Sequence, residues 1–138
     1  MQFLLPLLPV SRLAFPFLLW SLLAQEARIR VVPEEYNFGT VTQGTLVKTR
    51  FTIRNEGSKS LLVQDIKPSC NCSVTSWERR EIPPGDSIAV QVSFNTAGKI
   101  GRQRKTFSIL SNAVNSPAFF YLVGEVQAPS FYDPSNPD

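Results

Sequence analysis

The chain contains no histidine. That absence excludes more chemistry than any residue present suggests. Without imidazole there is no Ser-His-Asp or Cys-His nucleophile system and no imidazole metal ligand. Methionine occurs once, as Met1, so the rest of the chain also lacks the thioether that soft copper sites use. Cysteine occurs twice, which falls short of the roughly four ligands a structural zinc requires. Charge is sparse as well, at 18% of residues and a net +3. That is too little, and too dispersed, for the clustered basic face of a nucleic-acid binder. No stretch shows a helical apolar period closed by a cap.

What is present is apolar. Hydrophobic residues make up 43% of 138, enough for one domain with a core and too many for wholesale disorder. The apolar character is unevenly spread. Residues 1–24 are almost wholly apolar, with Arg12 as the only charge, and end in Ser21-Leu22-Leu23-Ala24 before Gln25-Glu26. This pattern predicts a secretory signal peptide cleaved after Ala24. The competing reading is an uncleaved anchor, for which the apolar run after Arg12 is short of the roughly 20 residues a spanning helix needs.

From Arg28 the pattern becomes β-like. Arg28 to Val32 and Tyr36 to Val41 are candidate strands, with Gly39 at a bend. In Leu46 to Arg54 the alternation is clean: Val47, Thr49, Phe51 and Ile53 fall on one side, Lys48, Arg50, Thr52 and Arg54 on the other. Asn55-Glu56-Gly57-Ser58 reads as a turn and Leu61 to Ile66 as a strand ended by Pro68. Val74 to Trp77 follows the cysteines, and Pro83-Pro84-Gly85-Asp86 is a turn. Ser87 to Phe94 alternates again, with Ile88, Val90, Val92 and Phe94 inward and Ala89, Gln91 and Ser93 outward. Gln103 to Leu110 and Ala118 to Val126 complete the set, with Gly124 at a bulge. About seven short strands over residues 28–127 predict an all-β, immunoglobulin-like antiparallel sandwich, with a small closed barrel as the alternative. Residues 128–138 read as a flexible tail.

The cysteines stand as Ser69-Cys70-Asn71-Cys72-Ser73. In an exported chain Cys70 and Cys72 admit a strained local disulfide, two reduced packing thiols, a Cu(I) thiolate pair, or redox exchange with a partner. The spacing is not the Cys-x-x-Cys of oxidoreductases. Asn71-Cys72-Ser73 spells a glycosylation sequon with Cys in the middle. Two basic groups, Lys48, Arg50 and Arg54 and then Arg102, Arg104 and Lys105, would form one partner-binding patch if their strands were neighbours. Phe119-Phe120-Tyr121 reads as core plus one exposed aromatic. The carboxylate pairs Glu34-Glu35 and Glu78…Glu81 lie in turns without an apolar pocket, which gives no glycosidase-type acid and base. No enzyme, cofactor or resident metal is expected.

Several pieces together carry a resemblance: Phe38-Gly39-Thr40-Val41, Phe51-Thr52-Ile53-Arg54-Asn55-Glu56-Gly57, Pro68-Ser69-Cys70-Asn71-Cys72, Ile82-Pro83-Pro84-Gly85, Val92-Ser93-Phe94-Asn95-Thr96, Ile109-Leu110-Ser111-Asn112 and Leu122-Val123-Gly124-Glu125-Val126. From about Tyr36 to Val126 the chain resembles the bacterial domain of unknown function 1573 family. That family is related to the immunoglobulin-like modules of hydin-type proteins and major sperm protein. Asn71 and Ser73 stand where the family often has Gly and Thr. The resemblance implies a sandwich exported by Bacteroidetes-like and related bacteria, with no established activity. The expectation is a non-enzymatic interaction or scaffold module of the periplasm or cell envelope. It would contact another envelope protein through loops and edge strands, including by strand addition. The alternatives are a thiol-based function at Cys70 and Cys72, and glycan or lipid head-group binding through the basic face. Membrane contact is expected only if residues 1–24 stay attached.

Overall fold

The structure is a computed structural model that describes residues 25–69 and 72–130. The leader or anchor assigned to residues 1–24, Cys70, Asn71 and most of the C-terminal tail lie outside the described residues. The described residues form eight strands and no helix: β1 Ile29–Val32, β2 Glu35–Thr42, β3 Leu46–Asn55, β4 Val63–Pro68, β5 Cys72–Trp77, β6 Ser87–Asn95, β7 Gly101–Ser111 and β8 Ala118–Gln127. They build two four-stranded sheets, ordered β1-β3-β6-β5 and β2-β8-β7-β4. This is the immunoglobulin-like sandwich, and the sheets do not close into the alternative barrel.

The first two strands go to different sheets. β1 pairs antiparallel with β3 in one sheet. The chain then crosses at Pro33 and Glu34, and β2 runs parallel to β8 in the other. Pro33 has no N–H to continue the first ladder, and the Glu34 carbonyl instead accepts from Tyr121 N–H at 2.9 Å.

The predicted alternation of β3 and β6 places Val47, Phe51, Ile53, Ile88, Val90, Val92 and Phe94 in the core. Ser93 departs from expectation. It alternates outward yet is buried, because its short side chain sits on an inner strand between its register partners Lys48 and Ser73. Phenylalanines knit the layers together. Phe51 stacks on Phe120 at 4.3 Å, Phe107 tilts against Phe120 at 5.9 Å, and Phe38 reaches Phe94 at 6.0 Å. Burying each such side chain stabilises the fold by about 1.5–3 kcal/mol.

The strand expected over Leu61 to Ile66 begins later. Leu61 makes only an isolated bridge to Ile82, and β4 runs on through Pro68. The irregularity expected at Gly124 lies opposite it. Two residues of β2, Phe38 and Gly39, face the one step between Val123 and Glu125. Gly39 takes φ +73°, and the Phe38 ring lies over Gly124, where a Cβ would come within 2.3 Å of it.

Candidate interaction faces

All the predicted site residues except Cys70 lie among the described residues. Cys72 opens β5, is buried among the core side chains and is disulfide-bonded. Among the described residues no three Cys, Asp or Glu side chains gather as metal ligands would. Just before the cysteine pair's first member in sequence, Ser69 is locked to β7: its N–H donates to Thr106 O at 2.8 Å, and its Oγ accepts from Thr106 N–H at 3.0 Å.

The two basic groups are not neighbours. Lys48, Arg50 and Arg54 project from β3, whose sheet partners are β1 and β6. Arg102 and Arg104 project from β7, on the outer side of the opposite sheet. The single patch therefore does not form, because β3 and β7 belong to different sheets. Lys105 leaves even the second group. It falls on the inward side with Phe107 and Ile109, and its Nζ lies 5.4 Å from the centre of the Phe94 ring.

On the outer side of the β2-β8-β7-β4 sheet a different set assembles. Phe120 points into the core, so Phe119 and Tyr121 both point out, where one exposed aromatic was expected. Their rings stack at 6.3 Å. The Arg104 guanidinium lies 4.3 Å from the Tyr121 ring centre and pairs with Glu35 at 3.3 Å. Phe119, Tyr121, Arg104 and Glu35 thus form one row across β8, β7 and β2. Beside it an open groove of about 520 Å³ is lined by Glu35, Asn37, Arg102, Arg104 and Glu125, among others. Sequence reasoning missed this row because its members join only through sheet order. The one local signal was an aromatic on either side of a core Phe.

The loop between β5 and β6 carries a second charged knot. Arg80 pairs with Glu78 at 2.6 Å and with Asp86 at 3.0 Å. The Ser87 N–H, then Arg80, hydrogen-bond the Asp86 carboxylate and hold its pKa below the ordinary aspartate value. Those two carboxylates in turn push the already high Arg80 value further up.

The family model described as Protein of unknown function (DUF1573) matches residues 29–126. The chain belongs to this family. No curated protein matches the sequence. Among solved structures, a protein of unknown function from Porphyromonas gingivalis superposes with TM-score 0.62 at 20% identity, over 74% of this chain and 48% of that one. The DUF1573 chain thus spans about half the length of that relative. The human ASH/PapD-like domain 7 of CEP192 superposes with TM-score 0.56 at 9% identity, over 76% of this chain and 89% of that domain. The secreted serine protease VesC of Vibrio cholerae gives TM-score 0.58 at 16% identity, over 82% of this chain but 25% of the protease. At these identities the likeness is one of fold: the DUF1573 domain is an immunoglobulin-type sandwich.

Proposed function

We propose that this DUF1573 domain is a non-enzymatic interaction module of the bacterial periplasm or cell envelope. It is exported by its N-terminal segment and holds another envelope protein against the outer side of the β2-β8-β7-β4 sheet. The observation that carries the reading is the row Phe119, Tyr121, Arg104 and Glu35. Tyr, Phe and Arg are the side chains enriched at the centres of protein interfaces, because they bring large, stiff area with polar tips. Phe119 keeps 38% of its surface exposed although it lies on a strand.

The edges support a face rather than strand addition. β1 has only four residues. β2, β4 and β5, the other three edges, each carry one extra residue against their partner strand, within Asn37–Thr40, Val63–Asp65 and Val74–Ser76. Bulges and short strands are how sheet edges are made poor templates for a further strand. A thiol function finds less support, since Cys72 is disulfide-bonded and Cu(I) capture would require reduction first.

The test is recovery of partners from envelope extracts at native expression, comparing wild type with a Tyr121→Ala/Arg104→Ala variant. The Arg104–Glu35 pair is exposed on both sides, so its loss shifts stability by under about 1 kcal/mol. The expected result is a discrete co-purifying protein whose recovery drops with the variant while its thermal unfolding stays near wild type. Equal recovery by both proteins refutes the reading.

A further inference from the structure

Charge is segregated between the sheets. The strands β1, β3, β6 and β5 read IRVV, LVKTRFTIRN, SIAVQVSFN and CSVTSW. They contain Arg30, Lys48, Arg50 and Arg54 and no acidic residue. Every strand of the opposite sheet except β7 contains an acid: Glu35, Asp65 or Glu125.

Three of the four cations of the first sheet are also unspent. Arg28, Arg30, Arg80 and Arg104 each pair with a carboxylate. Lys48, Arg50 and Arg54 pair with none of the described residues and are exposed. Of the acids flanking the sheet, Glu56, Glu78 and Asp86 sit at one end and are taken by Arg30 and Arg80. Lys48 and Arg50 are two residues apart on one side of a strand, hence about 7 Å apart, with Arg54 about 13 Å further along. Lys48, Arg50 and Gln91 line an open hollow of about 440 Å³ together with Thr49 and Val92. Next to the basic column, β6 and β5 present neutral side chains: Ala89, Gln91, Ser73 and Ser76. No outward aromatic or bulky apolar group stands in the middle of this face for a protein hot spot or a membrane wedge.

We propose that the outer face of the β1-β3-β6-β5 sheet binds an acidic polysaccharide. The Lys48, Arg50 and Arg54 column meets its carboxylates, and the hydroxyl and amide groups of β6 and β5 meet its sugar hydroxyls. A flat polar field beside a line of unpaired cations complements an extended, hydroxylated polyanion. The site is separate from the aromatic row, which lies on the opposite side of the sandwich.

The test is binding of the purified domain to polygalacturonate, with neutral dextran, polyglutamate and phosphatidylglycerol vesicles as comparison probes. The expected result is retention on polygalacturonate that weakens as salt rises, with none on dextran and weaker binding to the other two. K48E/R50E lowers affinity by about tenfold or more. K59E/K67E, an equal charge change elsewhere, lowers it by less than about twofold. The Tyr121→Ala/Arg104→Ala variant leaves it unchanged, so this proposal and the protein-binding one fail separately. Equal retention on dextran, no loss with K48E/R50E, or polyglutamate or vesicles bound as tightly as the polysaccharide overturns the proposal.

Discussion

Asn55 shows how much one side chain can organise. It is fully buried. Its Nδ2 donates to Lys59 O at 2.6 Å and Ile82 O at 2.8 Å, and its Oδ1 accepts from Gly57 N–H at 2.9 Å. Its backbone N–H donates to Asp86 O and its carbonyl accepts from Gly85 N–H. The N-terminus joins this junction, because Arg28 N–H donates to the same Oδ1 at 3.5 Å and Glu26 O accepts from Ser58 N–H at 2.8 Å. Gly57 permits that approach, since a Cβ there would lie 2.2 Å from Glu26 O. Asn55→Ala strands buried carbonyls without donors, and we expect it to lower stability by about 3 kcal/mol, read as a drop in the urea midpoint. The sequence marked Asn55 as a turn residue; its partners Ile82, Gly85 and Asp86 are too far along the chain to be read locally. Asp86 makes a pH-dependent prediction at the same scale. Its folded pKa is lowered, so its stabilisation is complete above the unfolded value of about 4 and is lost as pH falls through the folded one. Asp86→Asn therefore lowers Tm at neutral pH, and the gap to wild type closes at acid pH. A gap that persists unchanged in acid contradicts this.

At the scale of elements, the strands themselves were legible to within about two residues, and the bulged pairing of the edges was not. β3 and β6 have buried neighbours on one face only, so period two is written plainly in Val47, Phe51, Ile53, Ile88, Val90 and Phe94. Edge strands answer to solvent and carry the bulges, which break the period where it would be read. β2 shows this best. Its Phe38 points inward only because Gly39 adds a step opposite Gly124, whose missing side chain makes room for the Phe38 ring. Gly124→Ala forces that ring off its seat against Phe94. We expect a loss of about 1–3 kcal/mol, with a changed near-ultraviolet aromatic signal. A variant with wild-type stability would show that the ring moves freely.

For the whole molecule, the alternation of side chains foretold a sandwich but not its two unlike outer faces. Which strands share a sheet depends on connections that local pattern does not encode, so Lys48, Arg50 and Arg54 separate from Arg102 and Arg104. One face becomes basic and hydroxylated, the other aromatic and mixed in charge. Export is the other whole-molecule expectation. The intact mass of the natively produced protein should correspond to a chain starting at Gln25, and a mass retaining residues 1–24 would indicate an anchor instead. The most direct measurement for the central claim is site-specific photocrosslinking in cells, with the crosslinker placed at Phe119 in one protein and at Ala89 in another. Phe119 should give a discrete protein adduct in the envelope fraction and Ala89 none. No adduct at Phe119, or the same adduct from both positions, would contradict a protein-binding role for the aromatic face.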